Sequence, residues 1–197
     1  DNFPAPQFNA NFYNSNDLVA CISKVTHEIV KTVAPEVESC YLPHAVNSEI
    51  FHPSRTREEE ELVSKMRERI TQGKTGKKIF FWNNRNARRK QSGTLIWWFK
   101  EWLDKTGNHD KAQLIMHTDP KDQHGQDLDH IIMHLGMANS RQVLLSKEKV
   151  SPEHLASIYN MVDCTINISD AEGFGLGTLE SLSCGTPIIV NMTGGLQ

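Results

Sequence analysis

From Lys77 onward the chain alternates without a break between short apolar runs and amphipathic ones. KIFFW, AQLIMHT, QVLLS, CTINIS and PIIVN read as strands, rich in β-branched and aromatic residues. SGTLIWWFKEWLDKTG, DLDHIIMHLG, SPEHLASIYNMVD and GTLESLSCG read as the helices between them. Parallel strands need crossover connections of about a dozen residues, usually helical. Five strands separated by helices therefore predict an α/β architecture with a doubly wound parallel sheet. Upstream, DLVACI, KVTHEIVKTVA (stopped by Pro35) and ESCYLPHAV form one further βαβ unit. Between the two lies FHPSRTREEEELVSKMRERITQGKTGKK, which reads as a linker and a surface helix. Ser54 or Thr56 is its cap, and acidic residues in the first turn with basic ones later complement the helix dipole.

Composition narrows the function classes. The 197 residues are 38% hydrophobic and 23% charged, which fits a globular chain and not a disordered one. No run approaches the roughly 20 apolar residues that cross a bilayer, so no transmembrane segment is expected. A formal charge of −3 gives no overall basic field for nucleic acid, so any anion site must be local. Cys21, Cys40, Cys164 and Cys184 are far apart in sequence, with no C-x-x-C, and read as reduced core thiols, pointing to a cytoplasmic setting. The chain starts at Asp1 without a signal-peptide pattern and stops just after a strand-like run, as expected of an internal piece of a longer protein.

In open parallel sheets, ligands sit outside the carboxyl ends of the strands, where helix N-termini offer unpaired N–H groups. Two loops there carry chemistry. EGFGLGTLE follows CTINIS and places Glu172 in the loop and Glu180 in the next helix, with seven residues between them. Helical side chains tilt toward the N-terminus, so Glu180 leans back to the mouth that Glu172 faces. Gly173, Gly175 and Gly177 permit close backbone approach and expose N–H groups. Carboxylates accept from the paired hydroxyls of a sugar or ribose, while backbone N–H groups suit phosphate. A plainer alternative stands beside this: Glu172 as a cap, Glu180 as a solvated surface charge and the glycines as turn punctuation. The glycines do not follow the dinucleotide G-x-G-x-x-G spacing.

The second loop, NNRNARRKQSG after KIFFW, carries Arg85, Arg88, Arg89 and Lys90 just before a helix expected to be capped by Ser92, a local anion site. A solvated basic loop or a small nucleic-acid patch is its rival, although interleaved aromatics and a basic whole are missing. Trp97, Trp98 and Trp102, at helical spacing, read as core and interface packing and not as a stacking site. The irregular DPKDQHGQ is a surface loop or part of a cleft rim.

Four stretches resemble the retaining, family-four (glycogen-synthase-like) glycosyltransferases of the GT-B fold: YLPHAVNSEIFHP, NRNARRK, SPEHLASIYNMVDCTINIS and EGFGLGTLESLSCGTPIIVNMTGG. The first is similar to the hinge between the two Rossmann-like domains. The second has the Arg-x4-Lys spacing, and the last has the E-x7-E segment with the glycine pair after it. Here Arg85-Asn86 and Lys90-Gln91 replace the usual R-L and K-G, and His44 to Val46 replaces N-G-V.

The resemblance implies residues 1–46 as the end of an N-terminal acceptor domain, 47–76 as hinge and linker helix, and 77–197 as a nucleotide-sugar donor domain truncated at its C-terminus. It implies a hexosyltransferase that moves sugar from a nucleotide-diphosphate donor to an acceptor hydroxyl with retention of configuration. Glu172 would meet donor-sugar hydroxyls and Glu180 the ribose, while Gly173, Phe174, Gly175, Leu176 and Gly177 would hold sugar and diphosphate. Arg85 and Lys90 would neutralise the diphosphate, and Ser146 and Lys147 would lie near the base. The nucleotide sugar is the partner, with no metal, no resident cofactor and no nucleic acid; the base and the acceptor, whether glycan, lipid or small molecule, stay open. The competing classes are a non-catalytic nucleotide-sugar-binding module and, resting on RNARRK alone, a nucleic-acid-binding domain.

Overall fold

A computed structural model describes residues 7–197. Its contacts divide the chain into two units. The larger comprises Val46–Asp170 and Gly177–Asn191. Its sheet contains β3 (Lys78–Asn83), β4 (Ala112–His117), β5 (Val143–Ser146), β6 (Cys164–Asn167) and β7 (Ile188–Val190), in the order β5-β4-β3-β6-β7 and parallel at every pairing. This is the expected doubly wound sheet. The chain runs outward from β3 to β5, then crosses back to β6, so the switch point lies between β3 and β6. Register matters at the ligand edge: Asn83 pairs level with His117, and His117 with Ser146.

Alternation along β3 explains the two-sided core. Trp82 packs with Leu95, Ile96, Phe99 and Leu103 of α4 (Ser92–Thr106) and Leu128 and Ile132 of α5 (Leu128–His134). On the other face, Ile79 and Phe81 pack with Ile158, Tyr159 and Met161 of α6 (Pro152–Met161), with Met66 and Ile70 of α3 (Arg57–Thr71) against them. Residues 47–76 thus belong to the larger unit. Thr56 caps α3 in a capping box with Glu59. Arg67 anchors its far half, with Nη1 donating to the Met161 carbonyl at 2.6 Å and Nη2 to Asp163 Oδ2 at 2.8 Å.

Three expectations need correcting. Trp97 and Trp98 are 47% and 50% exposed, because the buried stripe of α4 is Leu95, Ile96, Phe99 and Leu103 and the tryptophans fall off it. Trp102 meets the core at Phe80 and Phe99, each at 5.8 Å, and is otherwise 38% exposed. Ser92 does not cap α4. Gln91 takes that position in a left-handed conformation, and the buried Ser92 hydroxyl donates to Asn86 Oδ1 at 2.7 Å. All four cysteines are free, but Cys40 is only half-buried, while Cys21, Cys164 and Cys184 are core residues.

The smaller unit comprises residues 1–45, of which 7–45 are described, with Ala171–Leu176 and Met192–Gln197. In it α1 (Ala10–Asn14) precedes β1 (Leu18–Cys21), α2 (Lys24–Val33) and β2 (Glu38–Tyr41), the expected βαβ unit with β1 and β2 parallel. Its core is Tyr13, Cys21, Ile29, Val30 and Val33. Among the described residues no helix is long and apolar enough to cross a membrane.

Candidate functional site

In the larger unit, the loops after β3 and β6 flank the switch point and are tied together. The Asp170 N–H donates to the Arg89 carbonyl at 2.8 Å, and the Gln91 side chain hydrogen-bonds the Asp170 carboxylate. A third loop, between β4 and α5, closes onto the first. Asn86 Nδ2 donates to the Gln126 carbonyl at 2.7 Å, the Arg88 N–H to the His124 carbonyl at 3.1 Å, and the Gly93 N–H to Gln126 Oε1 at 2.9 Å. Approach is so close that a Cβ on Gly125 would lie 2.1 Å from the Asn86 carbonyl. DPKDQHGQ is therefore a wall of the basic loop.

That wall brings a carboxylate the motif did not reveal. Arg85 gives two parallel bonds to Asp122, Nε at 2.7 Å and Nη2 at 3.2 Å, and holds the Asp122 carboxyl below its ordinary range. Arg85 is otherwise exposed, whereas Lys90 is buried in the turn Arg88–Lys90. At the neighbouring strand ends, His117 Nδ1 and Ser146 Oγ share a 2.9 Å hydrogen bond, and burial, with His154 second, lowers the imidazole pKa. Lys147 pairs with Asp129 of α5 at 3.4 Å.

Glu180 lies in α7 (Leu176–Ser183) and is not a solvated surface charge. It is half-buried, and the Tyr159 hydroxyl donates to its Oε2 at 2.9 Å. Asn83 Nδ2 in turn donates to that hydroxyl at 3.0 Å. Burial pushes the Glu180 carboxyl up, opposed by the Tyr159 hydroxyl. Gly177 sits at the start of the same helix, where a Cβ would be 3.2 Å from Tyr159 Oη.

In the smaller unit, Glu172, Gly173, Phe174, Gly175 and Leu176 form one short segment. Gly175 has φ 89°, a conformation glycine favours. The Gly195 N–H donates to the Glu172 carbonyl at 3.1 Å, so the glycine pair packs directly on this loop. His44 meets the Phe174 ring edge-on at 5.2 Å. The basic-loop residues, Ser146, Lys147, Gly177 and Glu180 thus occur in one unit and Glu172 to Leu176 in the other. Asp122, Tyr159 and His117 are the additions that sequence reasoning did not make. Only Asp122 had a signal, as an acidic residue in a loop already suspected of rimming a cleft.

A protein-family model described as "Family 4 Glycosyltransferase in conflict systems" matches residues 11–197. The chain belongs to this family of glycosyltransferases. Over 71 residues, 36% of this chain and 17% of the relative, it is 36% identical to a D-inositol 3-phosphate glycosyltransferase of Paenarthrobacter aurescens. Over 70 residues it is 40% identical to the same-named protein of Corynebacterium urealyticum, covering 36% of this chain and 16% of that one. Among solved structures, sucrose-phosphate synthase from Thermosynechococcus elongatus superposes with a TM-score of 0.76 at 20% identity, covering 96% of this chain and 44% of that one. A structure titled "Trehalose-6-phosphate from E. coli bound with UDP-2-fluoro glucose" gives a TM-score of 0.71 at 10% identity, covering 98% and 50%. The glycosyltransferase fold is thus of the GT-B kind. The chain spans half or less of these structures and under a fifth of the curated relatives.

Proposed function

We propose that this chain supplies the donor side of a retaining glycosyltransferase that moves a hexose from a nucleotide-diphosphate sugar to an acceptor hydroxyl. The observation that carries the reading is the switch point of the larger unit. A loop with Arg85, Arg88, Arg89 and Lys90 leaves β3, and a glycine-led helix with a half-buried, hydrogen-bonded Glu180 follows the adjacent strand β6. Breaking an anomeric C–O bond to a diphosphate places negative charge on the departing phosphate, and preorganised cations and N–H groups stabilise that charge. Arg85 and Lys90 take this role, Glu180 accepts from the ribose, and Ser146 and Lys147 lie by the base. Glu172 meets the hydroxyls of the sugar, with Gly173 to Gly177 holding sugar and diphosphate. The acceptor hydroxyl attacks from the leaving-group face.

A thermal-shift screen of the intact protein against nucleotide sugars, followed by transfer assays on the hits, tests the reading. UDP-glucose comes first, because one structural neighbour is titled as bound to a UDP sugar analogue. With the donor known, Arg85→Ala and Lys90→Ala are each expected to weaken nucleoside-diphosphate binding by about tenfold and leave the nucleoside unaffected. Equal losses for both ligands would refute the phosphate role.

Asp122→Asn adds a test of sign. If Asp122 only neutralises the basic loop, losing its charge strengthens anion binding. With Nε and Nη2 of Arg85 engaged on Asp122, the guanidinium is held in one orientation on an otherwise exposed side chain. Isothermal titration is therefore expected to show nucleoside-diphosphate binding weakened by about threefold, despite the more favourable net charge. Tighter binding would mean that Asp122 restrains Arg85 and does not present it.

A further inference from the structure

Tyr159 has no exposed surface. Its ring is held edge-on by Phe81 at 5.4 Å and Phe51 at 6.2 Å, which leaves the phenol oxygen as its one polar end. That oxygen meets two elements, α7 and β3. It donates to Glu180 Oε2 in α7, accepts from Asn83 Nδ2 at the end of β3, and is the atom nearest to where a Cβ on Gly177 would stand. A side chain this enclosed has little rotamer freedom, so whatever it bonds is fixed with it.

We infer that Tyr159 is a positioning residue for the donor nucleotide: its hydroxyl, braced by Asn83, holds Oε2 of Glu180 and thereby aims Oε1 at the ligand. The inference rests on the reading of Glu180 as the ribose contact. It makes the strand β3, which leads into the phosphate loop, and the helix α7 parts of one rigid ribose site. Gly177 follows from the same geometry, since a Cβ there would crowd the Tyr159 oxygen at 3.2 Å.

Electrostatics distinguishes positioning from mere packing. Burial raises the Glu180 carboxyl above its usual range, and the Tyr159 hydroxyl pulls it back toward the charged form. The other titratable group facing it is the Cys184 thiol, which burial first and Glu180 second push up to about 11, so that it stays neutral at ordinary pH. The phenol, raised by burial first and by Glu180 second, also stays protonated. A ribose hydroxyl donates to the carboxylate, so affinity falls as pH drops through the Glu180 pKa. Removing the hydroxyl that favours the charge makes that fall begin at a higher pH.

The test is a double-mutant cycle in the intact protein. Binding of UDP, with ADP and GDP alongside, is titrated from about pH 5 to 8 for wild type, Tyr159→Phe, Glu180→Gln and the double variant. The titration of the diphosphate itself is common to all four and cancels in their ratios. Tyr159→Phe is expected to bind about three- to tenfold more weakly at neutral pH, with the gap to wild type widening as pH falls. In the Glu180→Gln background, where no carboxyl titrates, the same change should add little and its pH dependence should vanish. Weak binding by Glu180→Gln beside wild-type binding by Tyr159→Phe overturns the inference and leaves the ribose reading intact. A pH-independent loss that persists in the Glu180→Gln background also overturns it, because only packing would then be at stake. Wild-type affinity in Glu180→Gln overturns the ribose reading itself.

Discussion

Gly195→Ala in the intact protein is expected to lower sugar transfer by about a hundredfold or more, the scale on which a 1 Å misplacement costs catalysis. A Cβ at this position would stand 2.4 Å from the Phe174 Cα and 2.6 Å from the Gly173 carbonyl, and these are backbone atoms that no side-chain rotation can clear. The loop carrying Glu172 must therefore move. Gly194 is tighter still, since its Cβ would lie 1.8 Å from the Glu172 carbonyl and its φ of 53° already disfavours a side chain. Binding of free nucleoside diphosphate should weaken far less than transfer, because Arg85, Lys90 and Glu180 belong to the other unit and only the diphosphate contacts of Gly173 to Leu176 shift with the loop. Gly107→Ala is the control. Its φ is 65°, but a Cβ there meets nothing within 4 Å, so it should cost about 1–2 kcal/mol of stability and leave transfer untouched. Steady-state kinetics, titration calorimetry and thermal unfolding separate these outcomes. Undiminished transfer by Gly195→Ala would show that the contact between the glycine pair and the Glu172 loop has no part in catalysis.

Much of this was legible in the sequence because burial on both faces of a parallel sheet writes itself as apolar runs of strand length. KIFFW, AQLIMHT and CTINIS became β3, β4 and β6, with the first strand one residue longer and the other two one and two residues shorter than the runs. Glycine is equally legible where the backbone must come close, as at Gly175 and Gly195. Contacts between loops distant in sequence are another matter. Asp122 meets Arg85 because the loop after β4 folds over the loop after β3, and no period or motif in DPKDQHGQ encodes that. Tyr159 was hidden for a related reason: its position in SPEHLASIYNMVD marks it as core, and a core tyrosine shows nothing in sequence of what its hydroxyl will reach. The tryptophans of α4 misled in the opposite direction. Trp97, Trp98 and Trp102 are large and helically spaced, yet Leu95, Ile96, Phe99 and Leu103 define a stripe that leaves Trp97 and Trp98 half outside.

The two glutamates should separate in solution as they separate in the fold. If Glu180 accepts from the ribose, Glu180→Gln weakens free nucleoside diphosphate and intact donor alike, by about 1–3 kcal/mol, because the hydroxyl pair loses a charged acceptor in either ligand. If the amide oxygen of glutamine accepts from the Tyr159 hydroxyl, an NH2 group that cannot accept replaces the second carboxylate oxygen, so the ribose loses its acceptor whether or not Tyr159 holds the side chain. If Glu172 meets the sugar, its contact strengthens as the ring distorts and gains positive charge, an interaction realised in the transition state and absent with free nucleotide. Glu172→Gln should then lower kcat by about ten- to a hundredfold, with nucleoside-diphosphate binding unchanged. Isothermal titration with the nucleoside diphosphate beside steady-state kinetics with the donor distinguishes the patterns. Loss of nucleotide binding in Glu172→Gln, with neither quantity changed in Glu180→Gln, would reverse the two roles. Wild-type behaviour in both would return Glu172 to a capping residue and leave Glu180 a structural partner of Tyr159.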